Sequence, residues 1–166
     1  QRVAAFRSAS IDALGAQVHK SDDPMEPVVT YSTLPLLVEK RAKYDVFLVA
    51  GQERRTNTIA YGLIGRLDGD EGSPRIASVT IVSRTGPQYV ELSEQRVLDS
   101  GCILGICTWR TGFRLDLTPA FVVWQAGRET TQDGDFRMRV TMTDGARVDI
   151  WMPAAEYAAL LRAMVR

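Results

Sequence analysis

From Phe136 to Met142 apolar and polar residues alternate at every step, and they do so again from Ala146 to Met152. A period of two places all the apolar side chains of a strand on one face. The two runs therefore predict a β-hairpin. Its loop contains Asp144-Gly145, a dipeptide favoured in two-residue type I′ turns. That register fails, because it sets Val140 beside Asp149 and Met142 beside Arg147. A three-residue loop, Thr143-Asp144-Gly145 with Gly145 left-handed, pairs Met142 with Ala146, Val140 with Val148, Met138 with Ile150 and Phe136 with Met152. All the apolar side chains then share one face, and a slip of one residue would undo this.

The polar face of the same hairpin sets Arg139 opposite Asp149, Thr141 opposite Arg147 and Arg137 opposite Trp151. The first pair is a cross-strand ion pair, and the last permits a cation–π contact. Arg137, Arg139, Arg147, Asp149 and Trp151 are therefore the candidate binding face, suited to a protein partner or an anionic ligand. The plainer reading is an ordinary sheet exterior, with Trp151 covered by a loop or by the N-terminal helix.

The rest of the chain reads as short strands between two helices. Arg2 to Lys20 is a modest helix with Ser10 as N-cap and Ile11, Leu14 and Val18 on one face, weakened by Gly15. Ser21 to Pro27, with two prolines and three acids, is a loop. Val28–Ser32 is a short strand, and Leu34–Lys43 reads equally as a helical turn or an extended loop. Asp45–Ala50 and Thr56–Leu67 are partner strands, followed by a turn from Asp68 to Pro74. Ile76–Ser83 and Gln88–Leu92 flank Thr85-Gly86-Pro87 as a hairpin. Trp109–Leu117 and Ala120–Ala126 read as two more strands, broken by Thr118-Pro119. Pro153 to Val165 closes the chain as a helix with Tyr157, Leu160, Leu161 and Met164 in one stripe.

Cys102 and Cys107 are the only cysteines. If Leu104-Gly105 is a two-residue hairpin loop, Ile103 faces Ile106 and Cys102 faces Cys107. Opposed residues at a non-hydrogen-bonded site have Cα atoms about 4.5 Å apart, inside the roughly 4.4–6.8 Å that a disulfide spans. The spacing is not Cys-x-x-Cys, so a redox-active pair is a poorer reading.

Composition narrows the function more than it names it. The chain of 166 residues is long enough for one domain, expected to span residues 1–166. Basic and acidic residues number 20 each. That neutrality disfavours non-specific nucleic-acid binding and a polybasic membrane role. The basic residues are 17 Arg and 3 Lys, a bias expected of a GC-rich, bacterial genome. No apolar run is long enough to span a membrane. The first residue is Gln1, which reads as removal of a signal peptide or another N-terminal segment, or as a trimmed chain; the signal reading and the even cysteine count together point to a periplasmic or secreted location.

No constellation calls for a cofactor, a metal or a catalytic role. The single histidine, His19, falls at a helix end next to Lys20, away from any nucleophile pattern. Two cysteines and one histidine do not complete a zinc shell. Asp68-Gly69-Asp70 and Asp133-Gly134-Asp135 are acidic turns, but position 12 counted from Asp68 is Val79, not the glutamate of a calcium loop. Nothing selects Glu53 and Asp45 as an acid–base pair, and glycine-rich phosphate loops are absent.

The expected fold is α+β: a mainly antiparallel, meander-like sheet, curved as a sandwich or partial barrel, with an N-terminal and a C-terminal helix. The expected function is that of a non-catalytic extracytoplasmic module, an accessory, adaptor or inhibitor-like domain acting through protein–protein contact. The partner is unspecified, and monomer and homodimer stand equally open. The alternative is a small-molecule or lipid-binding β-barrel whose cavity would be lined by Phe47, Tyr61, Trp109, Phe121 or Trp124.

Overall fold

A computed structural model describes residues 10–33, 43–131 and 134–165. Strands β1 (His19–Ser21), β2 (Val28–Ser32), β3 (Tyr44–Glu53) and β4 (Ile59–Gly69) run antiparallel as a meander. The chain then leaves to make β5 (Ile76–Ser83) and β6 (Gly86–Val90), and returns as β7 (Glu94–Ile103) and β8 (Ile106–Leu117). It leaves again for β9 (Phe136–Met142) and β10 (Arg147–Met152). Two antiparallel sheets result, of order β1-β2-β3-β4-β8-β7 and β10-β9-β5-β6. Neither closes into a barrel, and the meander is interrupted by these two exchanges between sheets.

Three helices complete the described chain: α1 (Ile11–Gln17), α2 (Pro119–Ala126) and α3 (Ala154–Met164). The expected N-terminal helix is present as α1, where the Ser10 hydroxyl accepts from the Ala13 N–H at 3.2 Å. Its proposed first turns, residues 1–9, lie outside the described residues, as does nearly all of the Leu34–Lys43 segment. His19 is not at a helix end: it opens β1 and pairs with Ser32.

Ala120–Ala126, read as a strand, is instead helical. Thr118 caps α2, its hydroxyl accepting from the Phe121 N–H at 3.2 Å, and Pro119 occupies the first turn. The run Phe121-Val122-Val123-Trp124 has strand composition, but a short apolar run has no period that separates helix from strand. The loop after β5 also sits one step earlier than expected. Ser83 pairs with Gly86, so Pro87 lies within β6. That position is tolerable because β6 is an edge strand, where a missing N–H breaks no ladder.

One hydrophobic cluster joins both sheets and all three helices. Val46, Leu48, Leu63 and Leu67 come from the larger sheet, and Phe136, Met138, Val140, Ile150 and Met152 from the smaller. Helix α3 buries Tyr157, Ala159 and Leu160 completely. Leu161 and Met164, expected on the same stripe, are only half-buried. Gly15 has a packing role: a Cβ there would come within 3.2 Å of the Arg162 Cβ, so α1 and α3 approach closely. Arg162 also meets Asp12 across that contact at 2.6 Å. Thr33 ties α3 to the strands, accepting from the Leu48 N–H at 2.9 Å and donating to Glu156 Oε2 at 3.4 Å.

Gly65 on β4 faces Phe113 on β8, and a Cβ at Gly65 would overlap the Phe113 ring. The ring is itself buried, so an added Cβ must displace it or part the two strands. Gly65→Ala is therefore expected to destabilise the fold by roughly 1–3 kcal/mol, the usual cost of overpacking. Urea unfolding of the variant measures this, and an unchanged midpoint would show that the ring is not held in place.

Candidate binding face

The hairpin register derived from alternation is the one in the structure. Arg139 pairs with Asp149, Arg137 with Trp151, Thr141 with Arg147, and Val140 with Val148. Gly145 is left-handed at φ 88°, and the Met142 N–H donates to the Ala146 carbonyl at 2.8 Å across the three-residue loop. The loop is also fixed from outside. Asp144 accepts from the N–H groups of Ser73, at 2.7 Å, and Ala146, at 3.0 Å. These backbone donors hold its carboxyl below the usual carboxylate range.

With Phe136, Met138, Val140 and Met142 buried, the intervening residues of β9 turn outward. The Arg139 guanidinium grips Asp149 with two bonds, of 2.6 and 2.9 Å. Arg137 stacks over Trp151, 4.4 Å from the ring centre. Trp151 is 42% exposed, so neither a loop nor α1 covers it fully. Its backbone N–H donates to the Tyr44 hydroxyl at 3.4 Å, linking β10 to β3 of the other sheet.

Pairing of β5 with β9 extends the face beyond the hairpin. One row across the sheet reads Asp149, Arg139, Thr80 and Tyr89, and another reads Arg147, Thr141 and Ser78. All five residues singled out from the sequence line one open cavity of about 490 Å³, together with Thr80, Pro87 and Tyr89. Tyr89 is 84% exposed, so the cavity has an aromatic at each end of its lining. Sequence reasoning missed Tyr89 and Thr80, because the β5–β9 pairing joins strands more than fifty residues apart.

Three arginines and one aspartate line this cavity, so a locally positive surface sits on a neutral chain. The hydrogen bonds from Arg139 lower the Asp149 carboxyl, slight burial opposes this, and the charges of Arg139 and Arg147 add to it. The same pairing raises Arg139 above its ordinary value. Both groups are therefore charged throughout the neutral range. The surface offers positive charge, hydroxyls and exposed rings. No histidine or cysteine lines it.

The other expected residues fall elsewhere. Phe47 lies in a separate groove of about 370 Å³ on the outer face of the larger sheet, with Ile64 and Arg114. Tyr61 is in the core, and Phe121 packs against Trp124, Phe136 and Tyr157. The Trp109 Nε1–H donates to the Glu71 carbonyl at 2.9 Å. These aromatics do not converge on one cavity. Asp68 is not in a free turn: it lies in β4 and pairs with Arg110 at 2.9 Å. Among the described residues no group of three or more His, Cys, Asp or Glu could hold a metal ion. Asp133 lies outside the described residues.

The two cysteines pair across β7 and β8 as expected, with Sγ atoms at the disulfide distance of 2.00 Å and Cα atoms 4.0 Å apart, closer than the expected separation. Leu104 (φ 52°) and Gly105 (φ 81°) make the two-residue turn. This hairpin end is not part of the core. Ladder pairing of β8 with β4 ends at Trp109, and every residue from Asp99 to Thr108 is exposed. Among the described residues no helix is long and apolar enough to cross a membrane. No protein-family model and no curated protein matches the chain.

Arg139→Ala and Asp149→Ala are expected to be non-additive, with the double variant losing less stability than the sum of the singles. Because the folded carboxyl of Asp149 lies below its unfolded value, the coupling is complete above the unfolded pKa and is lost as pH falls through the folded one. Thermal melts of the four proteins at neutral and acidic pH test both statements, and additive losses would remove the ion pair. Separately, a ring of this size contributes about 2 kcal/mol on the loop-entropy model. Here the ring sits in solvent, so its opening frees the native tip as well as the unfolded chain. Cys102→Ser with Cys107→Ser should therefore cost less than that while speeding amide exchange at residues 101–108, and a loss of the full amount would contradict the reading.

Proposed function

We propose that the protein is a non-catalytic module that works outside the cytosol by binding an acidic segment of a partner protein. The binding surface is the outer face of the smaller sheet. One observation carries the reading: Arg137, Arg139, Arg147, Asp149 and Trp151 share a single cavity with Tyr89, at a net positive charge, on a neutral chain. Tyr, Trp and Arg are the residues that most often dominate binding energy at protein interfaces. The stacked Arg137–Trp151 pair is ordered before a partner arrives, which lowers the entropy cost of binding. Strands on a packed core hold these groups more rigidly than loops would. An extracytoplasmic setting is supported by a cysteine pair at bonding distance on an exposed hairpin, because such pairs persist where the medium is oxidising.

A second reading has its own support. A volume of about 490 Å³ falls in the range of small-molecule sites, so a small anion with an apolar part is a competitor for the same residues.

Selection from a displayed random-peptide library tests the proposal. The wild-type protein is expected to enrich Asp- and Glu-rich sequences, with affinity that falls as salt rises. Arg137→Ala or Trp151→Ala should each weaken the selected peptide at least about tenfold, as for an interface hot spot. Enrichment of neutral or basic peptides, or indifference to both substitutions, would refute it. A ligand mass seen in native mass spectrometry and lost with Trp151→Ala would favour the small-molecule reading.

A further inference from the structure

The end of the β7–β8 hairpin combines three features that folding does not explain. Leu104 is 98% exposed, Ile103 77% and Ile106 67%, making this the most exposed aliphatic cluster among the described residues. Leu104 also holds a left-handed backbone (φ 52°), a position that ordinarily selects asparagine or glycine. Residues 101–108 carry no charge, although the flanking strand segments hold Asp99 and Arg110. The tip stands clear of the fold. From Trp109, the last residue paired to β4, to Gly105 is four residues, or about 13 Å at the rise of a strand. The Cys102–Cys107 pair clamps it from behind. A strained, solvated leucine at the apex of a clamped arm contributes nothing to the core, and such outliers mark functional sites.

We propose that this tip is a membrane-contacting wedge, with Ile103, Leu104 and Ile106 entering the interfacial layer of a lipid bilayer. Two features favour a bilayer over another occupant. Three side chains on a two-strand ribbon offer far less than the roughly 800 Å² per partner of a stable protein interface. A bilayer needs apolar surface and no complementary shape. The outer backbone edges of the ribbon lack strand partners past Trp109, so the tip stays at the level where water still reaches them. With no basic residue in 101–108, attraction comes from apolar contact alone. The contact is therefore weak and reversible, comparable to a single lipid chain, and is independent of lipid charge. This inference is separate from the binding face on the smaller sheet.

Flotation of the oxidised protein with phosphatidylcholine vesicles at millimolar lipid tests it. The wild-type protein is expected to float with the vesicles, equally well when anionic lipid is added and when salt is raised. Leu104→Asn suits the left-handed turn and removes the apolar apex, and with Ile106→Ser it should lower the bound fraction at least tenfold. An unchanged melting temperature of that variant shows that the fold persists. The proposal is overturned if the wild-type protein does not float, if the variant floats equally well, or if binding needs anionic lipid. It is also overturned if light scattering shows concentration-dependent self-association that the same substitutions abolish, because the tip would then cover a second copy of this chain.

Discussion

The three-residue loop between β9 and β10 is the constraint on which the rest depends. Gly145 supplies the positive φ that a longer side chain would resist, and Asp144 anchors the loop to the Ser73 and Ala146 backbones. Thr143 completes the anchor, its N–H donating to the Arg75 carbonyl at 2.9 Å. Loop and register cannot be separated. One residue fewer would set Val140 beside Asp149 and Met142 beside Arg147, so the two strands could no longer turn all their apolar side chains to one face. With the register set, Val140 meets Val79 on the inner face while Arg139 meets Thr80 on the outer. One turn thus aligns the apolar side chains of β9 and β10 on the core and the Arg/Trp residues of the candidate face outside it.

The molecule separates its two unusual surfaces by their mechanical support. The Arg/Trp face is backed by the fully buried Met152, Ile150 and Val140, so its side chains start from a rigid base. Their order comes from pairing within the face: Arg139 with Asp149 and Arg137 with Trp151. The hairpin tip has no core behind it, and its order comes from the cysteine clamp and a tight turn. The first surface is charged and broad, and the second is apolar and narrow. Different partners suit them on that ground alone.

How much of this was legible in the sequence follows from locality. The β9–β10 hairpin was fully readable, because strict alternation over two seven-residue runs leaves one register that satisfies burial. The cysteine pairing was readable for the same reason, five residues apart across two turn positions. Helix α2 was not, since Phe121 to Trp124 carry no usable period, although Thr118-Pro119 was a cap signal. The exchange of strands between sheets was hidden because it rests on β4 pairing with β8 and β5 with β9, both distant in the chain. Tyr89 and Thr80 were invisible as site residues for that reason. Ile103, Leu104 and Ile106 have the composition of a core, and only the structure shows them in water.

Cross-strand nuclear Overhauser contacts test the register of the last hairpin most directly. The structure requires contacts from Arg139 to Asp149, from Arg137 to Trp151 and from Val140 to Val148. Contacts from Val140 to Asp149 and from Met142 to Arg147 instead would mean a two-residue turn, would bury charge against the core, and would dissolve the binding face as described.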